Sequence, residues 1–152
     1  RPTSEMALVA WLKQSAPHWS DVQQAHAAAD VWKVYTDPSL QWIWHSPAHR
    51  EVNIAGTLEY LGNKKQFAGQ IDRLVMTPQA HIIIDYKTSL HIPDASALPE
   101  AYLLQMLAYK RLLEADGSGV SVRAGLLYTS GPVLFMLDSQ LAGLEFPSLD
   151  AA

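Results

Sequence analysis

The chain has 152 residues, 49% of them hydrophobic and 17% charged, with 11 Lys and Arg against 15 Asp and Glu for a formal charge of −4. That apolar content suits one ordinary folded domain and excludes a chain that stays disordered for want of a core. No cysteine is present, which excludes disulfides, zinc ribbons and iron–sulfur clusters held by thiolates, and no apolar run of about 18 residues offers a membrane span.

Arg1 stands where a start Met would, and no charged-then-apolar signal segment follows it. The sequence is therefore expected to be a piece of a longer cytoplasmic polypeptide. All five Trp (Trp11, Trp19, Trp32, Trp42, Trp44) precede residue 50, and most of the β-branched alternation follows it. The expected organisation is a helical, Trp-rich lead-in over 1–49, a strand-rich core over 50–137 and a tail over 138–152. Met6, Leu8, Val9 and Leu12 suit an amphipathic helix from Ser4 to about Ser15, ended at Ala16-Pro17 because a residue before Pro avoids the helical region. Ser20 offers the N-cap of a second helix to about Tyr35, closed by Asp37-Pro38. Leu40 to His45 reads either as a helical turn or as a docking surface.

After residue 50 the pattern becomes a meander. Glu51–Tyr60, a Gly62-to-Lys65 turn, Gln66–Met76, a turn at Thr77-Pro78-Gln79 and His81–Lys87 form three candidate strands joined by hairpin-like turns. Ile82-Ile83-Ile84 has no alternation and fits a central strand covered on both faces. Ser89 to Pro99 reads as a loop. Glu100 to about Ala115 reads as a helix, with Glu100 in its first turn, Lys110 and Arg111 late, and Gly117-Ser118-Gly119 beyond it. Strands Val120–Tyr128 and Val133–Leu137 follow around a Ser130-Gly131-Pro132 turn, and Phe146 to Ala152 reads as a frayed tail.

The chemistry concentrates in Gly69-Gln70-Ile71-Asp72-Arg73 and Ile84-Asp85-Tyr86-Lys87-Thr88. If the turn between them centres near Pro78–Gln79, Asp72 and Asp85 are equidistant from it and become cross-strand neighbours. Side chains alternate, so Lys87 shares the face of Asp85 while Tyr86 takes the other. Two close carboxylates repel unless a cation joins them, and oxygen ligands of this kind suit Mg2+ or Mn2+. A nearby Lys then orients or deprotonates a water, or stabilises charge on a phosphate. An Asp two residues before a Lys is also what a solvated strand ion pair looks like. Against that reading, Asp85 ends a strand of three Ile, where an unpaired charge is costly.

The combination of Arg50-Glu51, Gly69-x-Ile71-Asp72-Arg73, Ile84-Asp85-Tyr86-Lys87-Thr88 and Tyr102-x-x-Gln105-x-x-x-Tyr109 resembles the RecB-like branch of the PD-(D/E)xK nucleases. It is most similar to the C-terminal nuclease domain of AddA-type helicase–nucleases, which resect broken DNA ends in bacteria. Ala124 to Pro132 resembles the strand and turn that follow the family's Gln-Tyr helix. The resemblance implies a restriction-endonuclease-like α/β fold, a mixed sheet of about five strands flanked by helices. It implies a DNA exonuclease using Mg2+, for which Mn2+ substitutes, held by Asp72, Asp85 and the backbone carbonyl of Tyr86. Lys87 would be the catalytic lysine, with Glu51 assisting through a water or a metal. Gln105 and Tyr109 would line the DNA path, although on an apolar helix they also read as a satisfied buried pair. The implied partners are DNA, a helicase portion of the same polypeptide and a second helicase–nuclease subunit, in double-strand break repair. Arg73 reads as structural rather than as a phosphate contact.

The departure from the family lies upstream. Its early-helix His has no counterpart, Met6 falls at the corresponding position, and His18 or His26 would need another helix register. A rival reading is therefore a catalytically impaired nuclease-fold module for DNA guidance or subunit docking. A stand-alone endonuclease, which would need to dimerise, is a third. The family's iron–sulfur members require four cysteines, so that cofactor is excluded here. The Trp-rich half reads as core, with Trp42 and Trp44 as candidate contacts to a neighbouring domain or subunit. The charge deficit lies outside the motifs: residues 50–87 carry five basic and four acidic groups. Three of those acids are Glu51, Asp72 and Asp85, so bound cations would turn that face positive.

Overall fold

A computed structural model describes residues 2–146. Two helices lead: α1 (Glu5–Ser15) and α2 (Asp21–Thr36). Ser4 caps α1 by accepting from the Ala7 N–H, and Ser20 forms a reciprocal capping box with Gln23 at the start of α2. Replacing Ser20 with alanine is expected to cost about 1 kcal/mol. In a chain of this size that appears as a Tm lower by roughly 2–4 °C in a circular-dichroism melt. The two helices are tied by Gln24, a buried side chain whose Nε2 donates to the Ala16 carbonyl at 3.0 Å, meeting an orphan acceptor at the end of α1. A 3-10 turn (Pro38–Leu40) and the short α3 (Gln41–His45) complete the lead-in.

The sheet runs β1 (Ala48–Tyr60), β2 (Asn63–Met76), β3 (Ala80–Lys87), β4 (Ser121–Tyr128) and β5 (Val133–Met136), in that spatial order. All neighbours are antiparallel except β3 and β4, which are parallel and joined across α4 (Glu100–Glu114). The expected mixed five-stranded sheet flanked by helices is the fold observed. The hairpin turn is tighter than the expected Gly62-to-Lys65 segment: Tyr60 pairs with Asn63, and Leu61 and Gly62 both take positive φ (51° and 75°). That is what a two-residue turn between right-twisted strands needs, and it moves Lys64 and Lys65 into β2. The expected tail yields α5 (Asp138–Ala142), whose Leu141 is buried; residues 147–152 lie outside the described residues.

The sheet is covered on both faces. On one, Met106, Leu107 and Tyr109 of α4 pack with Ile71, Ile83 and Leu126. On the other, Val34, Leu40 and Ile43 from the lead-in pack with Val75, Ile82, Ile84 and Leu127. Ile83 thus faces α4 while Ile82 and Ile84 face the lead-in, which is why the β3 run is apolar without alternation.

Candidate functional site

Asp72 owes its placement to a break in the β1–β2 hairpin. Ala48 and Val75 pack into the lead-in cluster, whereas Val52 and Ile71, four residues along each strand, pack against α4. Regular alternation would keep residues four apart on one face, so both strands switch faces in between. Glu51, with φ 53°, lies at the switch, and the register on either side (Arg50 with Arg73, Val52 with Ile71) sets it across from Asp72. A left-handed conformation at a residue other than glycine costs about 1–2 kcal/mol and persists only where both flanks are fixed, as here by the two packed clusters. Beyond this point β2 leaves β3: their pairing ends at Arg73 with Ile84. Asp72 fills the notch so formed, its Oδ2 accepting the Tyr86 N–H at 2.8 Å.

On the far side of the notch the register carries Asp85 opposite Asp72. Asp85 and Gln24 are the two buried polar residues among those described, and Gln24 is accounted for by its helix-end bond. Asp85 binds Lys87 in an ion pair, Nζ to Oδ2 2.7 Å, and Lys87 is held from above by the Tyr102 ring, 3.7 Å from Nζ to the centroid. Burial pushes the Asp85 carboxyl above its ordinary range, the Lys87 ammonium draws it back, and the adjacent Asp72 carboxyl raises it again. The alternation expected from sequence holds here: Lys87 faces α4 with Asp85, while Tyr86 faces the lead-in.

The Gln105–Tyr109 pair splits. Gln105 is exposed beside the site, and its Nε2 reaches the Tyr109 hydroxyl at 3.3 Å. Tyr109 is 7% exposed, and its hydroxyl donates to the Gln70 carbonyl at 3.4 Å. Tyr109 is therefore largely closed off from solvent. Its ring lies over Gly69, where a Cβ would collide with the phenol. It holds down the strand that delivers Asp72.

The opposite face carries an aromatic series. Tyr86 stacks toward Trp44 (centroids 6.3 Å), and Trp44 toward Tyr35 (6.2 Å). Trp42 and Trp44 are partly buried and pack on the lead-in core of this chain. Of the other Trp, Trp11 and Trp19 are exposed, at 61% and 40%, against the expectation of core. Among the described residues no three His, Asp or Glu side chains gather into a metal cage. Glu51 is exposed and outside the carboxylate pair, and His26 sits on α2 beside Trp19 and Val22.

Two carboxylates meeting in a notch form a hard oxygen donor set. The Thr129 N–H bonds the Lys87 carbonyl, so Lys87 turns its peptide groups toward β4. Tyr86 then turns its own toward the notch, adding a main-chain oxygen on the side of Asp72. Such a set fits Mg2+ or Mn2+, which are bound through one or two carboxylates and keep several waters, rather than a metal that needs an all-protein cage. Sequence spacing identified Asp72, Asp85 and Lys87, but not the Tyr102 seat for Lys87 or the Gly69–Tyr109 contact, both of which cross between distant elements. The Tyr102-x-x-Gln105-x-x-x-Tyr109 spacing on α4 was the available signal for both.

The sequence profile described as the PD-(D/E)XK nuclease superfamily matches residues 1–139. No curated protein matches the chain. Among solved structures, 17 chains match. One, a crystal structure of SSO0001, aligns with TM-score 0.42 and 14% identity, covering 84% of this chain and 60% of that one.

Proposed function

Given that the chain belongs to the PD-(D/E)XK nuclease superfamily, we propose that it is a metal-dependent deoxyribonuclease domain, the exonuclease of a cytoplasmic helicase–nuclease of the RecB-like, AddA type acting in double-strand break repair. In this reading residues 1–152 form one nuclease domain whose partners are DNA, a helicase portion of the same polypeptide and a second subunit. The observation that carries it is the opposition of Asp72 and Asp85 across a strand notch, with Lys87 paired to Asp85 at 2.7 Å. Support for the RecB-like assignment is the order and spacing of these residues with Gln105 and Tyr109.

Asp72, Asp85 and the Tyr86 carbonyl would hold Mg2+, or Mn2+ in its place, and the ion when bound supplies Lewis-acid polarisation of a phosphodiester and acidification of a water. Lys87, fixed between Asp85 and Tyr102, presents a cationic donor to the attacking water or to the phosphoryl oxygens. Gln105, exposed beside it, offers an amide to the strand. Tyr109 keeps Gly69 and Gln70 in place so that Asp72 enters the notch at the right height. Glu51 would assist through a water or a metal.

Incubation with end-labelled single-stranded DNA tests the reading. Degradation is expected with Mg2+ or Mn2+, is lost in excess EDTA and returns when the ion is restored; no degradation under any of these conditions sinks it. A second reading, an impaired module for DNA guidance or docking, is favoured by Met6 at the family's His position and its 83% exposure. Calorimetry separates the two. The nuclease reading expects Mn2+ heat from the wild type that falls at least about tenfold in affinity in Asp85→Ala, since a carboxylate ligand is lost; the impaired module expects no such heat.

A further inference from the structure

Arg50 and Arg73 are direct cross-strand partners in the β1–β2 hairpin. Like charges in that position destabilise a sheet unless something neutralises them. No carboxylate does: the ion pairs among the described residues are Lys87–Asp85, Lys110–Glu114 and Arg123–Asp138. Arg73 is instead pinned by neutral groups. Its Nε donates to the Ile43 carbonyl at 3.0 Å, and its guanidinium lies 5.2 Å from the Trp44 ring centroid. The Tyr86 ring packs against the same Trp44 ring, centroids 6.3 Å apart, and so lies beside the Arg73 guanidinium. Arg50 is exposed, and among the described residues it has no side-chain hydrogen bond or ion pair. The result is two guanidinium groups, one rigid and one free, next to a phenol, on the back of the strand whose front carries Asp85 and Lys87.

A guanidinium held by a ring and a carbonyl keeps its terminal N–H groups for a ligand, and paired guanidinium groups suit the oxygens of a phosphate. We propose that Arg50 and Arg73, beside the Tyr86 ring, form an anion site on the lead-in side of the sheet that takes a backbone phosphate of the DNA strand. This proposal rests on the nuclease reading for the identity of the ligand. It also answers the −4 charge: the strand is gripped at one built site rather than by a basic surface.

The test separates this site from catalysis by working in EDTA. Anisotropy of a labelled single-stranded oligodeoxynucleotide is followed at several salt concentrations for wild type, Arg50→Ala and Lys13→Ala, the last removing the same charge from α1. Arg50→Ala is expected to weaken binding about three- to tenfold and to flatten the slope of log affinity against log salt by about 0.7, the value for one single-strand phosphate contact. Lys13→Ala is expected to change neither. Equal affinities and slopes for wild type and Arg50→Ala overturn the proposal, as does an undetectable wild-type complex at low salt. Inorganic phosphate that raises the wild-type Tm but not that of Arg50→Ala, with oligonucleotide binding unchanged, also overturns it, since the site then serves free phosphate. Binding that depends on Arg50 in a protein that never cleaves DNA sinks the nuclease reading and upholds the anion site.

Discussion

Lys87→Ala is expected to lower DNA hydrolysis by at least about 10²-fold while leaving Mn2+ binding intact or tighter. The rate loss follows from the position of Nζ, 2.7 Å from Asp85 and 3.7 Å above the Tyr102 ring. A preorganised charged donor in a water-poor site contributes on the order of 10²–10³ in rate when it meets developing charge. The metal prediction has the opposite sign because Lys87 and a divalent ion compete for the same carboxylate. Removing the ammonium removes both the competitor and a like charge. A purely structural ion pair would give a different result: Lys87→Ala would lower the melting temperature and leave the rate per folded molecule unchanged. Lys87→Arg should not restore activity, since a planar fork cannot reproduce a compact ammonium in a seat built by one ring and one carboxylate. Melts with and without Mn2+ keep the assay clear of folding. The metal-free variant leaves Asp85 buried without its partner and should be the less stable form, and the ion should recover part of that loss.

What could be read without coordinates was whatever depends on local chemistry. Ser20 as a cap, Pro17 as a stop and the three Ile of β3 are each set by neighbours within a few residues. The meeting of Asp72 and Asp85 was also legible, because a short turn at Pro78–Gln79 makes the pairing a matter of counting. The face switch at Glu51 was not. Ala48, Val52 and Ile54 keep the same parity, broken by Arg50 alone, so the sequence does not show that the structure packs Ala48 on one face and Val52 on the other. The positive φ that causes it falls on a residue with no preference for that conformation, and only packing on both flanks imposes it. Gln105 and Tyr109 were recognisable as neighbours on α4, but the acceptor of the phenol, the Gln70 carbonyl, is 39 residues away and belongs to the backbone. The lead-in Trp residues misled for a related reason: composition locates aromatic residues but not their cover, so Trp11 and Trp19 are exposed while Trp44 is covered by Tyr86 and Arg73 from other elements.

That distant contact supports the second large expectation. Gly69→Ala should destabilise the fold by about 1–3 kcal/mol, the usual cost of overpacking, and should depress DNA hydrolysis beyond what the loss of folded protein explains. An added Cβ would meet the Tyr109 Oη first, with Cε1 at 2.8 Å and Cζ at 2.9 Å. The ring is buried in a close-packed core, so relieving the clash displaces the ring together with α4 or β2. Movement of β2 carries Asp72, three residues on, away from the Tyr86 N–H it accepts at 2.8 Å. The matched measurement is a double-mutant cycle with Tyr109→Leu. That change alone loses the hydroxyl bond to Gln70 and leaves a gap; combined with Gly69→Ala, the new methyl enters that gap. The double variant should therefore be more stable than the sum of the two single effects by roughly 0.5–3 kcal/mol, the range for residues in contact. Additive effects would mean that Tyr109 does not hold β2 through Gly69. Mn2+ affinity across the cycle locates the consequence: if Gly69→Ala weakens the ion and the double variant recovers part of it, the glycine and the tyrosine act on hydrolysis through the position of Asp72.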